Sequence, residues 1–164
     1  MNMYLIVRFL HIACAVVFAG GLVARQLSRA MANKAEDPHS IWLVFQATDP
    51  IERLMVIPGS MLVLVFGVII ALMTGAPIFG FLQGASKNWL LVSNLLILLI
   101  MALIPLVFVP RGKVFQRNLE EAMRRGEMTP ELQASIHDPV VRLSHLVEMV
   151  VTILVVMLMV FKPF

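Results

Sequence analysis

One cysteine, Cys14, stands in a chain of 164 residues. It cannot form an internal disulfide, so no oxidising compartment is implied. Charge is scarce too: Asp, Glu, Lys and Arg make up 14% of the chain, against about a quarter in an ordinary soluble domain. Tyrosine occurs once and tryptophan twice. The basic residues have no aromatic platform beside them, so no nucleic-acid partner is expected. A Walker loop, a dinucleotide fingerprint, Gly-x-Ser-x-Gly and His-Glu-x-x-His are all missing, which removes the common soluble-enzyme chemistries. No internal repeat or low-complexity segment occurs.

What is present is apolar sequence, 60% of the chain. That fraction points to an integral membrane protein with most of its length in lipid, and to one bundle rather than several domains. Four stretches, roughly 4–25, 53–73, 89–110 and 143–161, reach the ~20 residues needed to cross ~30 Å of hydrocarbon. The expected fold is all-α: a transmembrane four-helix bundle with short amphipathic helices in the cytoplasmic loops. The first stretch carries Arg8 and His11 and is too long for a signal peptide, so it reads as a span.

Basic residues sort by side. Arg25, Arg29, Lys34, Arg53, Arg111, Lys113, Arg117, Arg124, Arg125 and Arg142 flank two loops, while Arg8, Lys87 and Lys162 lie on the opposite side. Ten against three is a positive-inside asymmetry that places both termini outside the cytoplasm. The same residues suit anionic lipid, and the bilayer is the expected partner.

Local signals divide the loops. Asp37-Pro38 breaks the first helix, and Ser40 is placed to cap a short interfacial segment over 41–47. Asp49-Pro50-Ile51-Glu52 reads as a helix start that launches the second span. Pro105 and Pro110 bend or end the third span. Val114, Phe115, Leu119, Ala122 and Met123 form an apolar stripe, ended by Gly126, that suits a helix lying on the membrane face. Thr129-Pro130 and Asp138-Pro139 open two further helices. Small residues, Ala15, Ala19, Gly59-Ser60 and Gly67, permit close helix packing, and they leave surface for a homo-oligomer.

Few residues at membrane depth can do chemistry, and an ionisable one there is a functional-site hypothesis by default. His11 comes first. It lies about 10 Å from the outer edge and His145 about 24 Å from it, so one haem bridging the two is not expected. Ser93, Asn94 and Thr152 fall at the level of His11 and are candidate partners of its ring. His11 with these three could line a porphyrin or quinone site, or the imidazole could be a packing contact satisfied by Asn94 or Thr152. Cys14 shares the His11 face; with the twelve methionines, His11 and Cys14 keep copper open as a second cofactor. A polar cluster is expected at the inner face: Asp49, Glu52 and Arg53 open the second span, Arg25 and Gln26 close the first, and Arg142, His145 and Glu148 share one face of the fourth, either as an ion-pair network that offsets the burial of Glu148 or as a site where His145 and Glu148 bind metal or pass protons.

The chain also resembles a known class. Phe9-Leu10-His11 followed by Phe18-Ala19-Gly20-Gly21-Leu22, then Arg53-Leu54, Pro58-Gly59-Ser60-Met61, Phe66-Gly67, Trp89-Leu90 and the ending Lys162-Pro163-Phe164 are similar to small four-helix bacterial membrane proteins. These comprise HemJ-type protoporphyrinogen oxidases, CopD copper-resistance proteins and an uncharacterised predicted integral membrane protein family. The resemblance implies the bacterial inner membrane, a b-type haem and His11 at the first-helix histidine of the HemJ type. The third-helix lysine of that type corresponds to Ser93. The resemblance therefore carries the fold and the interest in His11 rather than that reaction.

Overall fold

Residues 2–163 are described by a computed structural model. Phe164, the last residue of the Lys-Pro-Phe ending, lies outside them. Helix α1, Met3–Ala32, is capped by Asn2, whose side chain accepts from the Tyr4 N–H at 3.1 Å. Its 30 residues span about 45 Å, so it outruns the apolar stretch and carries a polar end beyond it.

Asp37-Pro38 is a helix start as well as a break. The Asp37 carboxylate accepts from the Ser40 N–H at 2.8 Å and from the Ser40 hydroxyl at 2.6 Å, and Pro38 occupies the first turn of α2, Pro38–Ile51. Ser40 is thus not the cap of a segment over 41–47. Aspartate three residues upstream takes that role, and the helix does not stop at 47. Nor does a new helix begin at Asp49. A π-turn, Glu52–Val56, joins α2 to α3, Ile57–Thr74, in one rod. Pro50 lies inside it. Proline lacks an N–H and crowds the carbonyl one turn back; the wider π-turn follows directly. Asp49, freed from capping, pairs with Arg53 at 2.8 Å.

The same arrangement recurs after α4, Trp89–Leu103, where a π-turn, Ile104–Phe108, contains Pro105 and leads into α5, Val109–Arg125. Pro105 and Pro110 therefore interrupt the α-helical bonding without ending the rod. Gly126, at φ 71°, ends α5 in the left-handed conformation that glycine adopts without steric cost. The apolar stripe of α5 packs against protein. Leu119 and Ala122 are buried against Ala32, Ile41 and Leu132, and Phe115 and Met123 pack on that core. The rings of Phe45 and Phe115 lie 4.7 Å apart. The ends of α1 and α2 and the short α6, Pro130–Ile136, offer the stripe a protein surface. Val114 stays exposed. Thr129 caps α6, and Asp138 caps α7, Pro139–Phe161, as the sequence signals indicate.

The described residues contain no strand, and four helices are long and apolar enough to cross a membrane. α1 and α3 run antiparallel: His11 meets Val63, Phe18 meets Gly59, Gly21 meets Val56 and Arg25 meets Glu52. α4 and α7 also run antiparallel, with Trp89 under the Lys162 ammonium at one end and Phe108 against His145 at the other. The chain ends and the 75–88 loop thus share one end of the bundle. The core of Ala32, Ile41, Leu119, Ala122 and Leu132 and the remaining loops share the other.

Candidate functional site

Two places hold the polar residues of the apolar helices. The first is the His11 ring. Its Nδ1 lies 3.0 Å from the Val63 carbonyl oxygen. A carbonyl only accepts, so Nδ1 carries the hydrogen and a neutral ring keeps its lone pair on Nε2. The contact needs Gly67: a Cβ there would stand 3.2 Å from His11 Cε1. α3 can approach the imidazole because that position has no side chain.

The expected partners of His11 are engaged elsewhere. Ser93 donates to the Trp89 carbonyl at 2.8 Å, and Thr152 donates to the Glu148 carbonyl at 2.8 Å. Each satisfies its hydroxyl within its own helix, as Ser and Thr commonly do in apolar surroundings. Asn94 donates to the Ile78 carbonyl at 3.3 Å and ties the loop at the outer end to α4. His11 is held by the α3 backbone, a partner that no side-chain pattern signals. Cys14 is half-buried one turn further along α1. Among the described residues no three His, Cys, Asp or Glu side chains converge as a metal site.

The second place is a network at the end of the spans nearer the basic loops. Arg25 donates from Nη1 to Glu52 Oε1 at 3.0 Å and from Nη2 to Glu148 Oε2. Its guanidinium lies over the Phe108 ring, 5.6 Å from the centroid, within cation–π range. The His145 ring stacks on the other partner of that contact: Phe108 and His145 have centroids 4.5 Å apart and planes 15° apart. His145 Nδ1 also approaches Glu148 Oε2 at 3.4 Å. Glu148 and His145 are buried, at 3% and 5% exposure. Every membrane helix contributes: α1 gives Arg25, the first π-turn Glu52, the second π-turn Phe108, and α7 the pair His145 and Glu148. Single-turn π segments recur at functional sites; here one opens with Glu52 and the other closes with Phe108.

The sequence cluster is thereby corrected in part. His145 and Glu148 meet, but Arg53 pairs with Asp49 in an exposed position and Arg142 is exposed. Each step of three residues falls about 60° short of a full helical turn, so two steps carry Arg142 well off the Glu148 face. Arg25 and Glu52, also expected in this cluster, are in it, whereas Phe108 has no polar signal by which a sequence could reveal it. The network lies far from His11: Arg25 is fourteen residues further along α1, about 21 Å at the helical rise. This agrees with the depth separation expected of His11 and His145.

The model of the family described as "Predicted integral membrane protein (DUF2269)" matches residues 5–163. The chain belongs to this family. No curated protein and no solved structure matches the chain. Both polar sites of this DUF2269 protein lie inside the matched region, which covers all four candidate spans except Met3 and Tyr4 at the start of the first.

Proposed function

We propose that this protein is a haem- or porphyrin-associated redox protein of the bacterial inner membrane, with His11 as the ligand. One observation carries the reading: the Nδ1–H of His11 is tied to the Val63 carbonyl at 3.0 Å. Ligating imidazoles are typically oriented in this way, one ring nitrogen donating to a carbonyl and the other left to bind. Nε2 of His11 makes no hydrogen bond among the described residues. It would hold the iron, and the haem would supply one-electron chemistry. Val63 and Gly67 lie against the ring, while Ser93, Asn94 and Thr152 make their hydrogen bonds away from it. His11 and Cys14 would give copper two donors of the right softness; the Val63 bond favours the haem reading because it leaves one oriented nitrogen that would hold the iron.

The basic loops belong on the cytoplasmic side in this reading, with both chain ends outside. The experiment is an absorption spectrum of protein purified in detergent from haem-supplied cells. Wild type should show a Soret band and split visible bands on reduction; His11→Ala should lose them at unchanged helical content. Wild-type protein without Soret absorbance refutes the proposal. Copper retained after Cu(I) loading, without haem, would instead favour the copper reading.

A further inference from the structure

The inner network joins two halves that otherwise approach closely only within themselves. In the apolar part the close helix approaches are α1 with α3 and α4 with α7. Among the described residues, the polar and ring contacts that cross between these pairs there are Arg25 with Glu148 and Arg25 over Phe108. The other link, α2 to α5 through Phe45 and Phe115, lies further inward in the small core. One arginine thus carries the cross-connection at the level of the network.

The charges around that connection balance. From α1, Arg25 and Arg29 face it; from the first π-turn, Glu52; from α7, Glu148 and His145; the second π-turn presents the uncharged Phe108. With a neutral imidazole, the guanidinium groups of Arg25 and Arg29 meet the carboxylates of Glu52 and Glu148, and Asp138 at the start of α7 also acts on Arg29. A buried ion pair of this kind holds only while both partners are charged. A proton added to Glu148 removes the partner of Arg25. A proton added to His145 creates a third cation that competes for the same Glu148 oxygen. Either addition weakens the Arg25–Glu148 link and leaves positive charge unbalanced in a buried place.

The network has atoms free to take a proton, and the helices have a place to bend. Arg25 Nε is the buried side-chain nitrogen or oxygen without a partner among the described residues. Glu148 Oε1 and His145 Nε2 also make no hydrogen bond there, yet they are not sealed off in the same way. Both π-turns sit at the level of the network, next to Pro50 and Pro105, where backbone donors are missing.

We propose that Glu148 and His145 form a proton-binding site whose occupancy releases the α1–α3 pair from the α4–α7 pair. The site takes a proton from the side of the basic loops: the proton leaves water and adds to Glu148 Oε1 or His145 Nε2, with no change in electron count. The proposal does not depend on haem at His11.

The test uses the full chain in lipid vesicles, with Cys14→Ala as background. Spin labels at Val17→Cys and Ile153→Cys, both on exposed positions, report the distance between pairs. Labels at Val17→Cys and Val65→Cys, also exposed, report the distance within one pair. Between about pH 8 and about pH 4, a range that brackets ordinary imidazole and carboxylate titration, the distance between pairs should lengthen by several ångströms while the distance within the pair stays fixed. Glu148→Gln should show the long distance at both pH values, and Glu52→Gln, which keeps the Arg25–Glu148 link, should still respond. A distance between pairs that ignores pH in the otherwise native protein overturns the proposal. So does lengthening within the pair, which would mean that acid unfolds the bundle. A Glu148→Gln protein with the short neutral distance overturns it as well.

Discussion

Two adjacent glycines on α1 make a controlled comparison. At Gly20 a Cβ would meet only the flexible Met55 methyl, at 3.7 Å, whereas at Gly21 it would stand 2.8 Å from Val56 Cγ2 and 3.1 Å from Met55 Cβ. Ordinary carbon contacts settle near 3.5–4.0 Å, so about 1 Å must be found at Gly21 and nothing at Gly20. Valine in a helix is confined to one main rotamer and cannot swing aside cheaply. Both substitutions to alanine carry the same propensity gain of up to about 1 kcal/mol, so their difference isolates packing. Overpacking of this size costs about 1–3 kcal/mol, and Gly21→Ala should be less stable than Gly20→Ala by that amount. Gly59→Ala should behave like Gly21→Ala, because its Cβ would press on the Phe18 backbone at 3.3 Å, which no rotamer change relieves. Thermal unfolding in one detergent, followed by circular dichroism, measures all three. Equal stability of the Gly20 and Gly21 variants would refute the α1–α3 register from which these contacts follow.

Other perturbations read other parts of the chain. Arg25→Gln leaves Glu148 buried without its cation and should cost about 3–5 kcal/mol of stability; adding Glu148→Gln should restore part of it, and thermal unfolding of the double variant checks the sign. Leu132→Ala empties a fully buried position of the inner core and should cost about 2–5 kcal/mol in the same assay. The Ser40 hydroxyl, and after it the Ser40 N–H, hold the Asp37 carboxyl below its ordinary range. A depressed carboxyl stabilises the fold above its ordinary value and stops doing so as pH falls through the lowered one. Amide exchange at the start of α2 should therefore accelerate only in acid, and in Asp37→Ala it should be fast at every pH.

The spans were legible because lipid imposes length and apolarity on a helix, and both can be read along the chain. Helix ends were legible only where one signal acted alone. Thr129-Pro130 and Asp138-Pro139 start helices as they read. Asp49-Pro50 has the same pattern but lies within a rod, because a π-turn two residues later accommodates the proline, and no local pattern foretells that. The pair His145 and Glu148 followed from spacing on one helix. Arg25 and Glu52 could be grouped with it because topology brings those span ends to one level, but the direct Arg25–Glu148 pairing across 123 positions of sequence and the ring of Phe108 could not be read from it. The partner of His11 was hidden for another reason: it is a backbone carbonyl, present at every position and marked only by the glycine that lets it come near.

The small core of Ala32, Ile41, Leu119, Ala122 and Leu132 has a consequence for how the chain is held in shape. Lipid tails are as greasy as leucine, so the spans gain nothing from leaving hydrocarbon for one another. The inner core packs where the sequence turns polar, and there water makes burial favourable. The protein thus rests on two unlike solvents. Urea acts on water-facing burial and should dissolve the inner knot while the spans remain helical; harsh detergent should separate the spans while the knot persists.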